Sequence, residues 1–205
     1  MGMNCSLHRA TPAEIDHFIE EPDALDSFLD AYSGPAPAVR TIKPKGLAGL
    51  LLRLFPITIT ETIPEPIDKA NPEPPSDPER MIDIEKGWQG LHFLFTGTAE
   101  GGEEPACFLV RGGETLDDEG YARALRPEDV RRFDNYLRSL SSEDLRQRYD
   151  AERMAKLKIY PEAIWRRASK DTESPVEWLL DCFDEVKSFI DKAAAAGDGV
   201  VVHIA

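Results

Sequence analysis

The chain has 205 residues, of which 41% are hydrophobic and 30% charged, a composition typical of one globular domain. Its 24 basic and 38 acidic residues give a net charge of −14. Such a surface repels phosphates, which argues against nucleic acids and anionic membranes as partners. The charge is compatible with solubility alone or with a protein partner that has a basic surface.

The cysteines are Cys5, Cys107 and Cys182, an odd number placed far apart. Their spacing predicts neither a disulfide framework nor a zinc site. Free thiols are typical of a reducing compartment, and the first residues lack the apolar segment of a signal peptide. We therefore predict a cytoplasmic protein. Phosphate-binding and metal-binding motifs are also missing, so we predict no cofactor and no metal.

The chain is predicted to begin with a short strand, which is followed by a helix with a strong start signal. Met3–Arg9 is the strand, and Thr11, Pro12 and Glu14 form a capping box with proline at the first helical position. A second short helix is predicted for Asp23–Ala31.

A proline-rich excursion from the domain is predicted at about 35–80, with seven prolines between Pro56 and Pro78. Within it, Thr58–Ile63 alternates as an edge strand does. Leu47–Leu54 is predicted to be helical. The apolar stretch around it, Gly46–Ile57, is shorter than the roughly 20 residues that span a bilayer. It either packs on the core or lies on a membrane surface, and the few basic residues favour the core.

The central helix is predicted over Asp83–Thr96, with Asp83 as its cap and Gly97 as its stop. Apolar residues recur through it at helical spacing and cover most of its circumference, which indicates burial. They are Ile84, Trp88, Leu91, Leu94 and Phe95.

The following segment is predicted to contain a buried strand, Ala106–Val110, and an irregular loop, Asp117–Arg126. Pro127 starts a helix with an inward apolar stripe. Ser141 is predicted to cap the next helix, and Asp150 to begin a short turn that ends at Ile159-Tyr160-Pro161.

The last part of the chain ends in a strand. Ala163–Ala168 is predicted to be helical, and Ser174 with Glu177 is predicted to cap a long final helix that stops at Gly197. Gly199–Ile204 is an apolar strand. Strands at both ends with helices between them predict a single α+β domain over 1–205. Its small mixed or antiparallel sheet would include both terminal strands, with helices packed around the central helix 83–96.

The central helix also carries a resemblance. Its Asp83, Lys86, Trp88, Leu91-His92-Phe93 and Thr96-Gly97 are similar to the signature of the YfbM-like family of uncharacterised bacterial proteins. The Met-Gly-Met start, Ile159-Tyr160-Pro161 and the closing strand resemble that family too. The resemblance covers the N-terminal strand and helix and the chain from about Ile82, and leaves out the proline-rich stretch. It implies the fold and brings no catalytic residues.

Two residues of the central helix are candidates for chemistry. His92 is a candidate general base, and the alternative is a buried imidazole bonded to a backbone carbonyl or a carboxylate. Lys86 opposes the helix dipole, which favours a carboxylate partner from a ligand or from this chain. Asp83 is either the cap of this helix or a catalytic acid.

Other candidates for binding a ligand or partner are aromatic or lie in loops. Trp88 is a core residue or a stacking platform. Tyr121 and Arg123 lie in a glycine-containing loop, where functional groups collect. Tyr160 precedes a proline and either anchors a helix end or contacts a ligand.

Two functions are compatible with these features of the sequence. The first, which we prefer, is an acidic protein-binding module that neutralises a basic partner such as a toxin. Under this hypothesis the protein binds a partner and is not an enzyme. The second is a small-molecule binder or enzyme with a cleft near His92 and Lys86. A pocket that reaches His92 would favour the enzyme.

Overall fold

The computed structural model describes residues 2–30, 38–42, 59–63, 78–166 and 174–205, with the backbone alone in 38–42 and 59–63. The chain divides into two compact units, Met1–Ser27 with Asp77–Ala205, and Phe28–Ser76. The second unit overlaps the stretch at about 35–80 for which the excursion is predicted. Its inclusion in one domain over 1–205 stays a prediction.

In Phe28–Ser76, residues 38–42 and 59–63 form an antiparallel pair of strands. These are β2 (Ala38–Ile42) and β3 (Ile59–Ile63), with Arg40 opposite Glu61. The predicted strand Thr58–Ile63 is confirmed as β3, while β2 was not predicted. The predicted helix Leu47–Leu54 lies outside the described residues.

The larger unit is built on a five-stranded antiparallel sheet with the order β4-β1-β7-β6-β5. The strands are β1 (Cys5–Ala10), β4 (Met81–Asp83), β5 (Glu114–Thr115), β6 (Ala122–Leu125) and β7 (Gly199–Ile204). The two terminal strands pair directly, with Leu7 opposite Val202. β7 is apolar except for His203, whereas β1 combines the buried Cys5, Leu7 and Ala10 with the polar Ser6, His8 and Arg9. The predicted α+β fold with both terminal strands in one sheet is confirmed.

Two helices follow β1. They are α1 (Pro12–Glu20) and α2 (Ala24–Asp30), and the start of α1 is confirmed as a capping box between Thr11 and Glu14. Ile15 of α1 lies against the sheet at Gly199, where an added Cβ would stand 2.5 Å from Ile15 Cγ1. Glycine at this position lets the helix approach the strand closely.

The central helix, α3, is confirmed as buried but begins later than predicted. It spans Trp88–Thr96, and every side chain from Trp88 to Phe95 is buried. Asp83 is the last residue of β4, not a helix cap, and its carboxylate accepts the Glu85 N–H at 2.7 Å. Glu85 has a φ of 47°, which no α-helix contains. Gly97, with a φ of 72°, is confirmed as the stop.

Two predictions between α3 and the next helix are wrong. Ala106–Val110 lies in a run of turns at 104–110, and the predicted loop Asp117–Arg126 contains the buried strand β6. One residue accounts for both errors. Arg123 of β6 donates to the carbonyls of Phe108 and Leu109, so these carbonyls are satisfied by a side chain instead of a strand. An arginine in the middle of β6 also hides the apolar character of this strand.

The C-terminal part is helical until β7. The helices are α4 (Pro127–Arg138), α5 (Ser142–Arg148), α6 (Ala151–Lys156) and α7 (Pro175–Ala196). The predicted helix starts at Pro127 and Ser141 and the stop at Gly197 are confirmed. Asp150 caps a helix where only a short turn was predicted. The predicted helix Ala163–Ala168 is wrong over its described part, since residues 162–166 form turns.

The capping box predicted at Ser174 is also wrong, because the Ser174 side chain makes no capping hydrogen bond. Ser141, by contrast, accepts the Asp144 N–H at 3.1 Å, and Asp144 accepts the Ser141 N–H at 2.9 Å. The same residue type therefore begins two helices with different hydrogen bonding.

This contrast gives a matched pair of substitutions. Ser141→Ala is expected to lower the free energy of unfolding by about 1 kcal/mol, because it leaves a helix N–H without its acceptor. Ser174→Ala is expected to change it by less than about 0.5 kcal/mol. Urea unfolding followed by circular dichroism measures both. Equal losses would show that the capping bond at Ser141 contributes nothing specific.

Candidate functional site

His92 is sealed inside the protein. Its side chain is 0% exposed, and neither ring nitrogen makes a hydrogen bond of standard geometry with a described residue. Burial is the main cause that lowers the pKa of the imidazole to about 4. The nearby Gly101 backbone raises the pKa, and the positive charges of Arg123 and Arg111 lower it further. The ring is therefore neutral at pH 7, and it lies out of reach of a substrate in solution.

Arg123 is a structural cation. It is 3% exposed, and its guanidinium donates to the Phe108, Leu109 and Gly112 carbonyls at 3.0, 2.8 and 3.3 Å. Burial is the main cause that lowers its pKa to about 10, so the side chain still carries its charge at pH 7. With its donors directed at the 108–112 turn, Arg123 holds this turn against the sheet.

Lys86 and Tyr160 meet at the start of the chain. The Tyr160 hydroxyl accepts the Met3 N–H at 3.0 Å. A Cβ at Gly2 would stand 2.6 Å from the Tyr160 hydroxyl oxygen and 3.0 Å from Lys86 Nζ. Lys86 has no carboxylate within ion-pair distance in the described part of the chain. Tyr160 thus holds the first residues of the chain, with Lys86 beside them.

Trp88 and Tyr121 line one pocket, which we call the Trp88–Tyr121 pocket. Its volume is about 410 Å³. Trp88 is 5% exposed and its indole N–H donates to the Met3 carbonyl at 3.4 Å, whereas Tyr121 is 47% exposed. The complete lining is Met3, Trp88, Gln89, Glu100, Val110, Arg111, Glu119, Gly120, Tyr121 and Ile204.

Charges of both signs surround this pocket. Arg111 donates to the Glu100 backbone carbonyl at 3.3 Å. Among described residues, Arg111, Glu100 and Glu119 take part in no ion pair, although most other arginines of this part do. All three side chains are exposed. The rim therefore offers a cation and two carboxylates to a ligand.

The chemistry of the Trp88–Tyr121 pocket suits binding. Its lining combines aromatic and apolar side chains with a few polar groups, as ligand sites usually do. It contains no imidazole, thiol or aliphatic hydroxyl, and its carboxylates are those of Glu100 and Glu119.

Gln89 and Arg111 were missed from the sequence. Gln89 is 8% exposed, accepts the Tyr160 N–H at 2.6 Å and donates to the Ala99 carbonyl at 3.2 Å. The signal for Gln89 was a polar residue inside an apolar helix. Arg111 gave none, because its segment was read as the end of a strand.

A second concave surface lies between β4 and α7, and we call it the β4–α7 groove. Its volume is about 630 Å³. Asp83 belongs to it, away from the Trp88–Tyr121 pocket. The lining is Glu79, Met81, Ile82, Asp83, Asp184, Glu185, Ser188, Phe189 and Lys192.

The described residues contain no group of three or more His, Cys, Asp or Glu side chains placed to hold a metal ion. No helix among them has the length and apolar character needed to cross a membrane.

The geometry defines a class of protein, an α+β fold in which both chain ends enter one antiparallel sheet against a buried central helix. The crystal structure of YfbM, a protein of unknown function from Escherichia coli, shares this fold with a TM-score of 0.60. The match covers 98% of this chain and 99% of that chain at 18% identity, which shows the fold alone.

The sequence comparisons name the family. Protein YfbM from Escherichia coli (strain K12) is 30% identical over 87 residues, which are 40% of this chain and 52% of that protein. The matched region thus spans about half the length of this relative. The family model described as "Domain of unknown function (DUF1877)" matches residues 1–203, and the chain belongs to this family. The YfbM-like resemblance is confirmed.

Proposed function

We propose that this protein binds a small organic molecule in the Trp88–Tyr121 pocket and does not catalyse a reaction there. The observation that supports this is the convergence of Trp88, from the central helix, and Tyr121, from the loop before β6, on one pocket of about 410 Å³. That volume falls within the range of about 300–1,000 Å³ typical of ligand sites.

The position of His92 supports binding over acid–base catalysis. A general base must reach the proton that it removes, directly or through one water molecule. His92 is 0% exposed and does not line the pocket. Lys86 is not among the lining residues either.

The charges at the rim suggest the class of ligand. Arg111 can bind a carboxylate, and Glu100 or Glu119 can bind an ammonium group. Trp88 and Tyr121 offer aromatic surface to an apolar body. A zwitterion with an aromatic or apolar side group, such as an aromatic amino acid or a short peptide, satisfies all of these groups.

Calorimetric titration of aromatic amino acids and dipeptides tests this proposal. Arg111→Gln is expected to weaken their binding by about tenfold or more, because the carboxylate loses a charged partner. Arg131→Gln is the matched control, since Arg131 is also exposed and does not line the pocket. Equal effects of the two substitutions, or no binding by the unaltered protein, would contradict the proposal.

A second candidate function is an acidic cytoplasmic module that neutralises a basic protein partner. Its support is the net charge of −14 and the carboxylates on the β4–α7 groove. The cytoplasmic location is supported by three buried free thiols, Cys5, Cys107 and Cys182.

A further inference from the structure

We propose that the β4–α7 groove binds an extended basic segment of a partner protein, which adds as a strand to the outer edge of β4. This inference rests on the second candidate function, and it names the surface and the chemistry of the partner. Three features of the groove support it: the unpaired edge of the sheet, the charge beside that edge, and the apolar floor.

The edge is provided by β4, the first strand in the order of the sheet. One side of β4 pairs with β1, with Ser6 opposite Asp83 and His8 opposite Met81. No described strand pairs with the other side. Backbone groups along such an edge can pair with an extended peptide, which is a common mode of peptide recognition.

The charge comes from carboxylates on α7 and at the end of β4. Asp83, Asp184 and Glu185 line the groove. None of these three forms an ion pair with a described residue.

Carboxylates in and beside the groove also raise the pKa of a neighbouring buried thiol. Burial is the first cause that raises the pKa of Cys182 to about 12, and the carboxylates of Glu185, Asp181 and Glu85 raise it further. The negative charge therefore extends beyond the groove lining along the N-terminal half of α7.

The floor of the groove is apolar. Phe189 is 3% exposed, and Met81 and Ile82 are half-buried. At one end Lys192 forms an ion pair with Glu79 at 3.5 Å. Because side chains alternate along a strand, a segment that alternates apolar and basic residues would place one set on this floor and the other near the carboxylates.

Charge also selects among possible occupants. The chain's own segment at 64–77 contains Glu65, Asp68, Glu73 and Asp77 against Lys69 alone. A second copy of the chain carries −14 as well. Like charges disfavour both, whereas a basic segment from another protein is attracted.

The test uses a synthetic octapeptide of alternating lysine and valine and its counterpart with glutamate. The lysine peptide is expected to bind and the glutamate peptide is not. In NMR spectra, amide signals of Met81–Asp83 should shift when the lysine peptide is bound, and the amides that face away from β1 should exchange more slowly with solvent. The double substitution Asp184→Lys with Glu185→Lys should weaken binding by about tenfold or more.

The control is the double substitution Asp118→Lys with Glu128→Lys, which changes the net charge equally at exposed positions outside the groove. If both double variants weaken binding equally, a basic partner is still bound but the groove is not its site, and this inference is overturned alone. If the unaltered protein binds no lysine peptide, the second candidate function is overturned with it. Protection, in the free protein, of the β4 amides that face away from β1 would show that the edge is occupied.

Discussion

Trp165→Ala is expected to lower the free energy of unfolding by about 3–5 kcal/mol, as removal of a buried aromatic side chain usually does. Trp165 is 2% exposed and ranks among the largest fully buried side chains. Its indole N–H donates to the Ile159 carbonyl at 2.6 Å. It lies against the central helix at Gly90, where an added Cβ would stand 2.7 Å from Trp165 Cη2. The cavity left by the substitution lies between the central helix and α7, whose packing limits how far neighbouring side chains can move to fill it.

Trp178→Ala is the matched control for this substitution. Trp178 stacks on Trp165 with ring centroids 6.3 Å apart, but it is only partly buried. Its removal therefore exposes less apolar surface, and the loss is expected to be clearly smaller. Denaturant unfolding of both variants measures the difference. A loss at Trp165 no greater than that at Trp178 would contradict the packing described for the central helix.

Acidification is expected to destabilise the protein between pH 6.5 and about pH 4, with His92 as one cause. Burial holds the pKa of folded His92 at about 4, below the ordinary value of 6.5. Within this window the unfolded chain binds a proton that the folded protein does not, so the free energy of unfolding falls as the pH falls. Above pH 6.5 His92 is neutral in both states. One pH unit corresponds to about 1.4 kcal/mol, so the loss from His92 is on the order of 3 kcal/mol.

His92→Leu separates this contribution from others. Burial, followed by the charge of His203, lowers the pKa of His8 to about 4 as well, so His8 gives the same direction of pH dependence. The variant should retain the part due to His8 and lose the part due to His92. Unfolding free energies at pH 7, 6, 5 and 4.5 measure the slopes, and identical slopes would show that His92 is not buried as a neutral ring.

Local signals in the sequence predicted the fold where one residue type determines the geometry. Thr11 with Glu14 began α1, and Gly97 ended α3, because capping and left-handed backbone depend on a few neighbouring atoms. Asp83 misled the prediction, since the same carboxylate that caps a helix can accept an N–H in a turn. The strand β6 was missed because burial of Arg123 depends on carbonyls 11 to 15 residues away.

The candidate site was predictable only in part. Trp88 and Tyr121 were named from the sequence, and the structure brings them to one pocket. His92 and Lys86 were both predicted to lie on the central helix, but the helix begins only at Trp88, so Lys86 lies outside it. Arg111 enters the rim through the turns at 104–110, which no local pattern indicated.

The proposed ligand site is tested most directly by the indole N–H signals of the three tryptophans in a ¹H–¹⁵N NMR spectrum. Trp88 lines the pocket, while Trp165 is buried away from it and serves as an internal reference; Trp88→Phe and Trp165→Phe assign the two signals. On titration with aromatic amino acids or dipeptides, the Trp88 signal is expected to shift in a saturable way while the Trp165 signal stays in place. No shift of Trp88, or saturable shifts confined to residues outside the Trp88–Tyr121 pocket, would contradict the proposal.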